Sequence, residues 1–118
     1  MMREILFRGK RIDNGEWAFG FYVETERYNN LHWIWDGKEY VAVDPSTVGQ
    51  YTGLTDKNGK KIFEGDILEF RRGRTHTVKF EDGAYIFTGT AIPVRYADKF
   101  KVIGNIHDNP ELLESECE

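Results

Sequence analysis

Internal disulfide chemistry is closed to this chain, because Cys117 is the only cysteine among its 118 residues and a lone thiol has nothing to pair with. It stands second from the end in an acidic stretch, surroundings that oppose the thiolate a nucleophile needs. Serine is nearly as scarce: Ser46 falls in an Asp-Pro turn and Ser115 in the tail, and neither has the strand-to-helix setting of a nucleophile elbow. The three histidines, His32, His76 and His107, lie far apart and lack the HExxH or CxxC spacing that gathers metal ligands on one face. Glycines sit singly in turns, so no strand-to-helix phosphate loop is present. We therefore expect no catalytic residue, no cofactor and no metal. Long apolar runs are missing too. Nothing approaches the ~20 residues that span a bilayer, and Met1-Met2-Arg3-Glu4 is not followed by the apolar core of a signal peptide. A cytoplasmic protein without a membrane partner is the expectation.

What is present is an ordinary globular composition, 40% hydrophobic and 31% charged, at the size of one domain with a real core. The net charge of −4 is unevenly spread. Five acids and no base follow residue 107, so the body carries 16 bases against 15 acids and the tail is acidic. A near-neutral body argues against strong, sequence-independent nucleic-acid binding, which draws on a clear basic excess.

The chain reads as a succession of hairpins. A first strand runs from Ile5 to Ile12, Asp13-Asn14-Gly15-Glu16 makes a tight turn, and Trp17 to Val23 returns. Alternation puts Trp17, Phe19, Phe21 and Val23 on one face, expected toward the core, and Ala18, Gly20 and Tyr22 on the other, where small residues let another backbone approach. A polar loop from Glu24 to Leu31 precedes a short pair, His32–Trp35 and Tyr40–Val43, about Asp36-Gly37. Trp33 and Trp35 share a face that suits a core, or a stacking platform or peptide groove.

Asp44-Pro45-Ser46-Thr47 is a turn, because proline fixes its own φ and extends the residue before it. The densest signal follows in GQYTGLTDKNGKKIFEGDILEF, Gly49 to Phe70. Asp56-Lys57-Asn58-Gly59 closes a hairpin between Gln50–Thr55 and Lys60–Phe63. Glu64-Gly65-Asp66 breaks the chain again. Paired carboxylates can divide acid and base roles, but the glycine between them points to a turn in which Asp66 bonds nearby amides. Ile67 to Phe70 then starts a strand whose imperfect alternation implies partial burial on both sides. Further strands are expected over Thr75–Phe80, Ala84–Thr88 and Phe100–Ile106, with Gly89–Lys99 unassigned. Asn109-Pro110-Glu111 supplies an N-cap, a first-turn proline and an acid for one short helix. Trp17, Phe63, Ile67 and Leu68 are the expected core.

Three segments, MREILFRGKRIDNGEWAFGFYV, VDPSTVGQYTGLTDKNGKKIFEGDIL and VIGNIHDNPELL, together resemble the YopX family of phage and prophage proteins, nearly end to end from Met2 to about Leu113. The resemblance implies a small, mainly β protein with a barrel-like domain, encoded by a phage or an integrated prophage. The family's biochemical role is not established, so no catalytic residue carries over.

The resulting expectation is a mainly β fold: a hairpin-rich N-terminal part (1–43), an SH3-like small β-barrel (44–107), and a short C-terminal helix with an acidic tail (108–118). The favoured function is a non-enzymatic accessory protein that binds a phage or host macromolecule, foremost a protein; self-association is an open route. A nucleic-acid-binding barrel is one alternative, and a small nuclease-type enzyme with a site assembled from distant residues is the other. The candidate contact residues for an anion or nucleic acid are Arg71, Arg72 and Arg74, with Lys60 and Lys61 on the neighbouring hairpin arm.

Overall fold

The computed structural model describes residues 4–25 and 31–114. The tail beyond Glu114, with Ser115 and Cys117, and most of the expected Glu24–Leu31 loop lie outside the described residues. The chain divides into two compact units, Met1–Tyr51 and Thr52–Glu118. No helix among the described residues is long and apolar enough to cross a membrane.

The first unit is an antiparallel sheet of β1 (Phe7–Lys10), β2 (Trp17–Thr25), β3 (Leu31–Trp35), β4 (Tyr40–Ala42) and the start of β5 (Gly49–Thr55), in the order β4-β3-β2-β1-β5. The β1–β2 turn forms at Asn14-Gly15: Gly15 takes φ +74°, and the Asn14 side chain accepts the Glu16 amide at 2.9 Å. β1 is shorter than expected, since Ile5 and Ile12 are exposed and only Phe7–Lys10 pair with β2. The Asp44 turn becomes a single 3-10 turn, Pro45–Thr47, capped by the Asp44 carboxylate.

The facing of β2 is the reverse of the expected one. Ala18 is buried with Ile34, Val41 and Val43, and Tyr22 packs against that cluster, whereas Phe19 and Phe21 are 46% and 58% exposed. Register explains it. Tyr22 lies opposite Ile34 and Ile34 opposite Val41, so one cross-strand row makes the core and carries Ala18 and Tyr22 of β2 inward. Gly20 belongs to this inner set and meets a close backbone as expected: a Cβ there would stand 1.9 Å from the Trp35 carbonyl oxygen. Trp17, expected in the core, is half-buried, its ring under the Arg8 guanidinium (4.7 Å) and the Lys10 ammonium (5.5 Å).

In the second unit β5 continues into a hairpin with β6 (Lys61–Phe63), followed by β7 (Asp66–Glu69), β8 (Thr75–Glu81), β9 (Ala84–Phe87) and β10 (Lys101–Asn105). β7 to β10 form an antiparallel sheet in the order β10-β7-β8-β9. The sheet is open: β9 and β10 are its edges, where a closed barrel would pair them. Its core gathers Ile62, Leu68, Val78, Phe87, Phe100 and Val102. Phe100 is fully buried, with the rings of Phe87 at 4.9 Å and Phe70 at 5.1 Å. Phe63, Ile67 and Leu68 are buried as expected.

The Gly65-Asp66 break is a turn. Gly65 takes φ +91°, and the buried Asp66 carboxylate accepts the Phe63 amide at 2.7 Å. The unassigned interval holds a 3-10 segment, Val94–Lys99, entered through Pro93. The C-terminal helix α1 is one turn, Glu111–Glu114. Asn109 does not cap it through its side chain; Oδ1 turns back to accept the Asn105 amide at 3.2 Å.

Candidate anion pocket and aromatic face

The arginine loop joins β7 to β8. Gly73 at φ +81° and an Arg74 amide donating to the Arg71 carbonyl at 2.8 Å make a tight turn. The Glu69 carboxylate accepts the Gly73 amide at 3.3 Å. Arg71, Arg72 and Arg74 are all exposed, and none of their side chains has a carboxylate partner among the described residues. The Arg71 guanidinium lies 6.0 Å from the centre of the Phe70 ring.

Arg71 and Arg74 rim a pocket of about 320 Å³ whose other walls are Phe70 and His76 on one side and Gly89, Thr90 and Ile92 on the other. His76 is buried and oriented by its Nδ1–H, which donates to the Thr88 carbonyl at 2.7 Å. A carbonyl can only accept, so Nε2 is the nitrogen left over. The Thr90 hydroxyl oxygen accepts the Ile92 amide at 3.1 Å, which keeps its O–H free to donate. Two of the expected contact residues, Arg71 and Arg74, thus meet at one cavity. Arg72, Lys60 and Lys61 are exposed but do not line it.

The remaining walls were legible in principle. The β8–β9 hairpin pairs Glu81 with Ala84 and Val78 with Phe87; extending that register sets His76 across from Gly89, and the Thr88 amide does donate to the Thr77 carbonyl. The Glu81-Asp82-Gly83 turn was the signal.

The first unit presents a different surface. Outward residues of β2 and β3 meet as the cross-strand pairs Phe21–Trp35 and Val23–Trp33, and β4 adds Tyr40 opposite Trp35, their rings 4.7 Å apart. Tyr40 is 59% exposed, and Trp33 and Trp35 are half-buried. Val23, Thr25, Trp33 and Tyr40 line a shallow depression of about 370 Å³. No outward residue of β2 to β4 carries a charge.

The histidines are not gathered. His32 stacks on Tyr22 and its Nδ1 bonds the Tyr22 hydroxyl; burial, then the nearby Glu24 charge, pushes that hydroxyl above its ordinary pKa. Among the described residues no three His, Cys, Asp or Glu side chains are placed to hold a metal ion.

The fold is similar to the crystal structure of protein EF1440 from Enterococcus faecalis, with a TM-score of 0.60 and 26% identity over 95% of this chain and 99% of that one. Nothing among curated proteins matches the sequence. The family model described as YopX protein matches residues 6–114, nearly the whole chain, and the protein belongs to the YopX family.

Proposed function

We propose that this chain is a phage or prophage accessory protein that works in the cytoplasm of the bacterial host by binding another protein, without catalysing a reaction. The observation that carries the reading is the uncharged aromatic face of β2, β3 and β4, with Phe21 and Tyr40 more than half exposed. Aromatic side chains offer large, rigid contact area at low entropic cost and are enriched where proteins meet. The absence of charge on this face suits an apolar protein surface and gives a phosphate backbone nothing to hold. On this reading the contact face belongs to the N-terminal hairpin part (1–43). Residues 44–107 take an SH3-like form, supported by a β7-β8-β9 meander, a 3-10 segment, and a last strand that returns beside β7.

The test is affinity capture from prophage-carrying host cells with the intact chain and a Phe21→Ser/Tyr40→Ser variant, alongside sedimentation of the purified chain. A protein held by the intact chain, lost by the face variant and kept by an Arg71→Ala/Arg74→Ala variant supports the proposal. A captured protein that binds both variants alike overturns it. So does self-association through this face, or nucleic acid as the only captured species.

A further inference from the structure

We infer that the pocket between the arginine loop and the segment after β9 is a binding site for a nucleoside phosphate, with the phosphate between Arg71 and Arg74 and the base against Phe70. The site is built from the second unit alone and shares no residue with the aromatic face.

Three features converge on the ligand. Arg71 and Arg74 are exposed and carry no carboxylate partner among the described residues, so their fork-shaped donors are not already neutralised. Guanidiniums recognise phosphate oxygens in pairs of parallel hydrogen bonds, which a carboxylate-paired arginine cannot do. Next, a neutral donor stands in the same cavity: the Thr90 hydroxyl proton is free while its oxygen accepts from Ile92, beside a His76 ring that the Thr88 carbonyl holds in one orientation. Third, the wall is not wholly polar. Phe70 is 38% exposed and lines the pocket with Ile92, giving a flat apolar surface on which a base can stack.

Size and charge separate a small ligand from a long polyanion. The cavity of about 320 Å³ is at the small end of ligand pockets. The 107-residue body carries only one net positive charge, 16 bases against 15 acids, too little for tight tracking of a phosphate backbone. One local pair of arginines in a concave site is suited to one nucleotide, free or at a strand end.

The test is a set of titrations of isotope-labelled intact protein, at low salt, followed by amide NMR. The probes are adenosine 5′-monophosphate, inorganic phosphate, adenosine and a single-stranded tetranucleotide. We expect the monophosphate to move the Gly89 and Thr90 amides and to saturate below about 1 mM. Arg71→Ala/Arg74→Ala should weaken it by roughly tenfold or more, and Arg95→Ala, an exposed arginine outside the pocket lining, should leave it unchanged. Phe70→Leu, which removes the ring and keeps an apolar side chain, should abolish the preference for the monophosphate over inorganic phosphate. Competition between the tetranucleotide and the monophosphate would name a strand end as the natural source; no competition would name the free nucleotide. Equal affinity of the intact protein for inorganic phosphate and the monophosphate would overturn the nucleoside assignment. No shift at Gly89 and Thr90, or binding indifferent to the double arginine variant, would overturn the site.

Discussion

The carboxylate of Asp56 accepts the main-chain amide of Val102 at 2.9 Å, across 46 positions of sequence. Its other oxygen accepts the amides of Asn58 and Lys60 at 2.8 and 2.9 Å, and the Lys57 amide donates to the Phe100 carbonyl at 2.9 Å. One buried side chain therefore closes the Asp56–Gly59 turn and ties it to β10. Asp56→Ala should strip three amides of their acceptor. An unsatisfied buried group costs ~1 to 3 kcal/mol, and only the Val102 bond is fully buried, so we expect a loss of about 3 kcal/mol in urea unfolding. A loss below about 1 kcal/mol would show that water replaces the carboxylate.

The same residue sets an acid dependence. Burial works against the Asp56 charge, but the amides of Val102, Lys60 and Asn58 outweigh it and hold the carboxyl below its usual pKa. A depressed folded pKa means the unfolded chain binds the proton more readily. The contribution is thus complete above the unfolded value of about 3.9 and is lost as pH falls through the folded value. Unfolding measured from pH 6 downward should show a steeper acid loss for the intact chain than for Asp56→Asn, which cannot titrate there. Parallel curves would remove Asp56 from the acid response.

Short-range chemistry was readable and facing was not. The turns at Asn14-Gly15, Asp56–Gly59 and Gly65-Asp66 rest on a glycine with positive φ or a carboxylate within four residues of the amides it accepts, and such contacts follow from local sequence. β2 is different. It is apolar on both faces, so alternation cannot choose between Phe19–Phe21 and Ala18–Tyr22; the choice is made by Ile34 and Val41, on strands whose register lies outside β2 itself. The pocket had the same character: its arginines stood out as a basic loop, whereas His76 and Thr90 reach it only through the β8–β9 register.

The facing of β2 can be tested directly. Phe21→Ser alters a side chain that is 58% exposed and should change stability by no more than about 0.5 kcal/mol. Ala18→Leu forces three extra carbons against Ile34, Val41 and Val43 and should cost ~1 to 3 kcal/mol. The opposite ranking would restore the aromatic side as the inner one.

In the second unit Leu68 and Ile67 are both fully buried, so the short strand β7 has no solvent side at its centre. Leu68→Ala should cost roughly 2 to 5 kcal/mol, the range for a large buried aliphatic that leaves a cavity. An unfolding midpoint equal to that of the intact chain would mean that β7 is not central.

The last junction, between β10 and α1, predicts a coupled pair. A Cβ at Gly104 would stand 2.5 Å from the Asn109 Oδ1 and 2.8 Å from its Cγ, and that same Oδ1 accepts the Asn105 amide at 3.2 Å. Glycine at 104 is thus required by the asparagine at 109, whose atoms are the three nearest to that Cβ. Gly104→Ala alone should be destabilising because the clash pushes Asn109 off the amide it serves. Asn109→Ala alone should cost about 1 kcal/mol, the ordinary worth of one hydrogen bond. In the double variant the oxygen and Cγ that crowd position 104 are gone, and the remaining contact, to the Asn109 Cβ at 3.0 Å, is the mildest of the three. The two losses should therefore fail to add, with a favourable coupling of about 1 kcal/mol in a double-mutant cycle of urea unfolding. Additivity within error would mean that Gly104 is needed for its backbone alone and that Asn109 is free to move aside.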